Sequence, residues 1–350
     1  MFFNLIILIS SLVAGTITLF KLVNNFYDES ITNQKINVGT RIRWGDSKKS
    51  HLGGLCFLIS LLLTNLIIII FFREFLLENY NDFIFLSSII ILSGFFGFLD
   101  EKYLYKPFEK IILQLIIAVL LIINDKVVHF SPNEAINIAL SIFYYLAIFN
   151  ILNMFDNIDL GLSSISIPIV VFLMFLDTSQ GNFIILLTFL GTLIAFSYFN
   201  FFPSKIFMGD IGSFQLATVI AATSVEAFWG DFQFSGYTSS LFQLGLHNLI
   251  FLLPITDFVI VSIIRLSDGK SIFTGDTKHI SHVFNFKLKN VNYLCLLFLI
   301  VTIALAFLYY YYYMPMVSGQ YNLLNLVIVY FSFISLTFYL YKLARNDKRF

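Results

Sequence analysis

Apolar residues run in long blocks along the 350-residue chain, and polar residues gather between the blocks. Leu55 to Phe72 shows the pattern: little in it is polar beyond Ser60, Thr64 and Asn65. A helix that crosses a bilayer needs about 20 mostly apolar residues, whereas a membrane barrel alternates apolar and polar residues over short strands. No such alternation is present. The blocks predict an all-α, polytopic membrane helix bundle with about eleven transmembrane helices. They lie near 2–23, 52–72, 83–99, 111–124, 135–152, 162–177, 182–201, 214–230, 241–263, 292–313 and 323–341. Met1 to Asn4 carry no Lys or Arg, and no small-residue cleavage site follows, so the first block is read as a retained helix rather than a signal peptide.

Composition agrees with the blocks. Of the chain, 58% is hydrophobic and only 12% charged, against about 25% charged in ordinary soluble domains. So few charges could not cover a soluble body of this size. The sequence therefore predicts one integral membrane domain over residues 1–350, with the lipid bilayer as its first partner and no nucleic acid. Cys56 and Cys295 both fall in apolar blocks and are read as lipid or core residues, without a disulfide framework or metal motif.

The net charge is zero, but its distribution is lopsided. Nineteen of the 21 basic residues fall in alternate connections and the tail, and only Arg73 and Lys126 fall in the others. Basic loops stay on the cytoplasmic side. This predicts an outward N-terminus, a cytoplasmic C-terminus and residence in the inner (plasma) membrane. Tyr309 to Tyr313 fit an aromatic belt at the outer interface.

The polar segments with chemical content are the predicted cytoplasmic loops, near 24–51, 100–110, 153–161, 202–213 and 264–291. Lys48-Lys49-Ser50-His51-Leu52-Gly53-Gly54 sets basic side chains beside a glycine pair, which suits close approach to phosphate or simply orients the bundle. Asp100 and Glu101 are adjacent carboxylates at a membrane boundary, where they need partners such as oxygen-ligated Mg²⁺, or lie at a solvated helix end. Asn150, Asn153 and Asn157 share a helical face, with Asp156 and Asp159 close by; they line a polar cavity or hydrogen-bond between helices. In Asn200 to Ser213, Lys205 precedes a turn of Gly209, Gly212 and Ser213 that resembles a phosphate-binding helix start or an N-capped turn, and Asp210 can ligate a metal there. Asp276, His279 and His282 suit phosphate contact or proton transfer better than zinc. Asp257 and Arg265 are read as an ion pair or as lining of the same cavity.

Together these residues resemble the polyprenyl-phosphate N-acetylhexosamine-1-phosphate transferases. The run Asn-Phe-Phe-Pro-Ser-Lys-Ile-Phe-Met-Gly-Asp-Ile-Gly-Ser (200–213) is similar to a signature of that family, and the motifs at 51–54, 100–101, 150–159, 254–265 and 276–279 agree in order. There are departures. The second aspartate of the first motif is Glu101. The pattern Asp-Gly-x-Asp-Gly-Leu reads Asp156-Asn157-Ile158-Asp159-Leu160-Gly161. The pattern His-x-His-His reads His279-Ile280-Ser281-His282. The three-histidine run with a nearby glutamate, typical of the phospho-MurNAc-pentapeptide subgroup, is absent.

The resemblance implies an enzyme that transfers sugar 1-phosphate, with GlcNAc-1-phosphate favoured, from a UDP-sugar to polyprenyl phosphate, releasing UMP. It implies Mg²⁺, with Mn²⁺ as an alternative. Asp210 and Asp100 are the implied metal ligands, and Asp100, Glu101, Asp156, Asp159 and His279 the implied catalytic set. Lys49, His51, Asn150, Asn153, Lys205, Gly209, Gly212, Ser213 and His282 are the implied substrate contacts. A homodimer is left open. A phospho-MurNAc-pentapeptide transferase is the alternative within the family; a secondary transporter or a non-catalytic homologue is the alternative outside it.

Overall fold

The computed structural model describes residues 2–29, 49–78, 81–176, 179–230, 236–269, 271, 278–317 and 322–345. It is all-α among the described residues. The helices are α1 (Phe2–Glu29), α2 (Leu55–Phe71), α3 (Arg73–Glu78), α4 (Leu86–Tyr103), α5 (Pro107–Ile123), α6 (Glu134–Phe155) and α7 (Gly161–Leu176). They continue as α8 (Gln180–Asn200), α9 (Gly209–Trp229), α10 (Tyr237–Asn248), α11 (Leu252–Ser267), α12 (Ile280–Leu288), α13 (Val291–Val317) and α14 (Leu323–Arg345). A π-helical turn, Asn81–Phe85, leads into α4, and a 3₁₀ turn, Leu249–Phe251, joins α10 to α11.

Among the described residues, eight helical segments are long and apolar enough to cross a membrane, and α2 and α7 are shorter apolar helices. Each sequence block corresponds to a helical segment, which makes the chain a polytopic membrane protein. Large apolar side chains such as Phe143, Phe175, Phe307 and Phe331 point outward, as a lipid-facing surface requires.

The bundle is built around α9, which is buried along nearly all of its length. Its small residues, Gly209, Gly212, Ser213, Ala217, Ala221 and Ala222, let neighbouring helices approach closely. α4 packs along α9, α6 lies on α9 and α5, α1 runs between α2 and α8, and α13 packs on α7. α14 is peripheral and touches α10, α11 and α12.

Three departures from the sequence pattern have physical causes. α4 runs on to Tyr103, so Asp100 and Glu101 sit on its last turn rather than in a loop. The ninth block is broken into α10, the 3₁₀ turn and α11, because Pro254 has no N–H to continue the ladder and is tolerated only in the first turn of α11. α12 occupies part of the predicted loop 264–291; Asp257 Oδ1 accepts its first N–H, from Ile280, at 2.7 Å.

Candidate active site

The polar segments meet through backbone contacts that glycine makes possible. Gly53 N–H donates to Phe207 O at 3.0 Å, Gly54 N–H to Met208 O at 2.9 Å, and Phe207 N–H to Ser50 O at 2.9 Å. The segment before α2 is thereby laced to the segment before α9. A Cβ on Gly54 would lie 2.1 Å from Gly212 N, and one on Gly97 would lie 2.3 Å from Asp210 O. Gly209 has φ +68°, a left-handed backbone that glycine adopts without strain, and a Cβ there would lie 2.0 Å from His51 O. Gly209, Gly212 and Ser213, expected as phosphate contacts, are buried in this backbone packing. One of the first N–H groups of α9 meets a carboxylate of the protein: Asp210 N–H donates to Glu101 Oε1 at 2.8 Å.

This packing sets three carboxylates together. Asp100, fully buried, and Asp210, 2% exposed, face the same ammonium: Lys110 Nζ forms an ion pair with Asp100 and lies 3.0 Å from Asp210 Oδ2. Leu104, left-handed at φ 53°, turns the chain at the end of α4 so that Tyr105 N–H donates to Asp100 Oδ1 at 3.1 Å. Lys110 was expected only as an orienting charge. Its place on the first turn of α5 gave no hint of Asp210, 100 residues away in sequence.

Around this cluster the remaining side chains hold the loops. Asp159 is committed to Ser204, whose N–H and Oγ donate to its two oxygens at 3.1 and 2.9 Å. Ser204 Oγ also accepts from Lys49 Nζ at 3.3 Å, and Lys49 lies over the Phe207 ring, which packs at a tilt against His51. Lys205 is exposed, with its backbone N–H donating to Phe199 O at 2.8 Å. Asn150 donates to Gln114 Oε1 at 2.8 Å, tying α6 to α5. Asn153 and Asp156 are half-buried at the end of α6.

A second group forms where α11 meets α12. His279 Nδ1 lies 2.7 Å from Asp257 Oδ2, and its Nε2 lies 3.4 Å from Arg265 Nη2. His282 is buried, its ring 6.1 Å from that of His279. Asp257 and Arg265 thus grip His279 from both sides. Asp276 lies outside the described residues.

The donor set fits a hard divalent cation. Asp100 and Asp210 offer carboxylate oxygens at a point already taken by a positive charge, and no group of three or more His, Cys, Asp or Glu among the described residues completes a cage. Mg²⁺ is commonly held this way, by one or two carboxylates with the remaining ligands from water and substrate phosphate.

With this fold and site in view, the comparisons with known proteins define the class. The sequence profile of glycosyl transferase family 4 matches residues 83–228, which run from the turn before α4 into α9. The chain is 31% identical to the phospho-N-acetylmuramoyl-pentapeptide-transferase of Staphylococcus carnosus over 230 residues, 55% of this chain and 69% of the relative. The proteins of that name from Streptococcus pneumoniae and Streptococcus sanguinis are 28% identical over 276 residues and 27% over 301. The matches cover 73% and 79% of this chain and 80% and 87% of the relatives. The chain belongs to glycosyl transferase family 4, as the resemblance implied. It is a membrane-embedded member of the polyprenyl-phosphate hexosamine-1-phosphate transferase superfamily, the phosphosugar transferases.

Proposed function

We propose that the protein transfers the phosphorylated amino sugar of a UDP-N-acetyl sugar to undecaprenyl phosphate, at the cytoplasmic face of the plasma membrane. The observation that carries this reading is the convergence of Asp100 and Asp210 on one cation, Lys110, at the end of an apolar bundle. In the reaction an oxygen of the lipid phosphate attacks the phosphorus attached to the sugar. A new P–O–P link forms, the bond from that phosphorus to the bridging oxygen breaks, and UMP departs with that oxygen. The lipid phosphate has its second pKa near about 6, so it is largely dianionic at neutral pH and needs no general base. Asp100 therefore serves to hold charge rather than to take a proton. When bound, Mg²⁺ supplies positive charge that offsets the repulsion between the two phosphate groups. Lys49, Arg265 and His282 bring further donors to phosphate, and Asn153 and Asp156 border the donor at the end of α6.

The named relatives favour N-acetylmuramoyl-pentapeptide as the transferred group, ahead of the N-acetylglucosamine expected from sequence. One observation supports N-acetylglucosamine as a second reading. Residues 279–282 hold His279 and His282 with Ile280 and Ser281 between them, not the three-histidine run of the pentapeptide subgroup.

The test is to incubate the purified protein with undecaprenyl phosphate, Mg²⁺ and a panel of donors that includes UDP-MurNAc-pentapeptide and UDP-GlcNAc. UMP and lipid-linked sugar should appear together and should be lost in Asp210→Asn, and the best donor decides between the readings. A folded protein silent across the panel sinks the proposal and turns attention to a non-catalytic role.

A further inference from the structure

Two of the three departures from the family pattern touch each other. Asn157 stands where the pattern has glycine, Ser281 stands where it has histidine, and Ser281 Oγ donates to Asn157 Oδ1. We infer that Asn157 and Ser281 form a matched pair of positioning residues that sets the start of α12, and with it His279, against the sugar-nucleotide donor. The inference rests on the transferase reading above.

The geometry makes the pair a tether. Asn157 follows the last turn of α6, and its Nδ2 donates to Met154 O at 2.9 Å, so the amide is fixed at both ends. Ser281 is 1% exposed and is the second residue of α12. The residue before it, Ile280, is held by Asp257 of α11. The first turn of α12 is thus pinned to α6 on one side and to α11 on the other. With the Asn157 contact removed, the first turn of α12 keeps its side-chain tie to Asp257 and its packing on α13 and α14 but loses its tie to the end of α6, which fixes His279 relative to Asp156.

The exchange also conserves volume. Glycine with histidine and asparagine with serine carry the same number of non-hydrogen side-chain atoms; here bulk has moved from α12 to the turn after α6. Histidine at 281 facing Asn157 overfills the corner, and glycine at 157 leaves the buried Ser281 hydroxyl without its acceptor. Either change alone is damaging, and the two together refill the space.

The corner belongs to the donor rather than the lipid. Asp156, His279, His282 and Arg265 gather polar and charged groups there. The Asp100–Lys110–Asp210 group instead stands at the foot of α4 and α5, whose outward side chains include Phe95, Phe98, Phe108 and Ile112. A sugar nucleotide suits the first surroundings and a lipid phosphate the second.

The experiment compares the full-length protein with Asn157→Gly, Ser281→His, the double variant and Ser281→Thr. It measures kcat and KM separately for the UDP-sugar and for undecaprenyl phosphate. Each single change should raise the donor KM about tenfold and leave the lipid KM within about twofold. Ser281→Thr keeps the hydroxyl and should stay within about threefold of the parent. The double variant should return to within about threefold and alter the ranking of donors. If Ser281→His does not fold, Ser281→Ala takes its place; its effect and that of Asn157→Gly should then fail to multiply, because both remove one bond. Independent, multiplying effects overturn the inference, as does an equal rise in the lipid KM. A folded parent protein that releases no UMP from any donor overturns the transferase reading itself, and this inference falls with it.

Discussion

Asp257 holds His279 by two atoms: one carboxylate oxygen faces the imidazole Nδ1 at 2.7 Å, and the other accepts the N–H of the next residue, Ile280, at 2.7 Å. Arg265 lies on the other side, and a guanidinium can only donate. His279 Nε2 therefore accepts, the ring proton sits on Nδ1, and Asp257 receives it. The fixed positive charge of the corner belongs to Arg265. Asp257→Asn keeps the shape and one acceptor but no longer dictates the tautomer. Its turnover should fall about 10- to 100-fold, the range for a lost orienting partner. Steady-state UMP release checks this, and an unchanged kcat would remove Asp257 from the positioning role.

The ammonium of Lys110 stands between two buried carboxylates that would otherwise repel each other. Lys110→Met removes the ammonium that both carboxylates face, which should cost about 3 kcal/mol in the presence of chelator. A divalent cation that binds the folded form alone restores stability by mass action. The melting temperature of Lys110→Met in detergent should therefore rise more on adding Mg²⁺ than that of the parent protein. In Lys110→Met combined with Asp210→Asn the extra rise should vanish. Equal shifts in all three proteins would argue against a cation site at this pair.

The spans were legible in sequence because burial in lipid is a demand on whole stretches of chain, and composition records it directly. The site was legible as a set of loops, but its internal wiring was not. Lys110 looks like any basic residue at a membrane boundary until tertiary packing brings Asp100 and Asp210 to it. The glycines of 53–54 and 209–212 announce a close approach without naming what approaches. A phosphate was expected, and backbone fills much of that space. α12 was missed because its nine residues owe their start to Asp257, a contact that no local pattern encodes.

Gly97 shows how helix packing controls the carboxylates. An added Cβ would lie 2.3 Å from Asp210 O and 2.7 Å from Ile211 Cα, both backbone atoms that cannot rotate away. Gly97→Ala must push α4 off α9, and Asp100 sits one turn further along α4. The change should destabilise the protein by about 1–3 kcal/mol. It should also lower turnover at least about tenfold, since small misplacements of reacting groups are costly. Gly15→Ala is the control: its methyl would meet Ala195 Cβ at 3.1 Å, on α1 and α8, and turnover should stay within about threefold. Matching losses in both variants would mean that Gly97 matters only for folding.

Leu160 adopts φ +60°, and its N–H donates to Asn200 Oδ1 at 2.7 Å, while Asn200 Nδ2 donates to Ile206 O at 2.7 Å. The turn between Asp159 and α7 thus needs a left-handed residue at the position where the family pattern carries glycine. A leucine there bears a strain of about 1–2 kcal/mol, offset in part by its half-buried side chain. β-Branched residues tolerate this backbone least. Leu160→Val should therefore lose about 1–2 kcal/mol despite remaining apolar. Leu160→Gly, which trades packing for relief of strain, should stay within about 1 kcal/mol of the parent. At an ordinary half-buried site valine would outrank glycine. Melting temperatures of the two variants in the same detergent decide the order, and valine above glycine would show that the left-handed turn is not maintained in the folded protein.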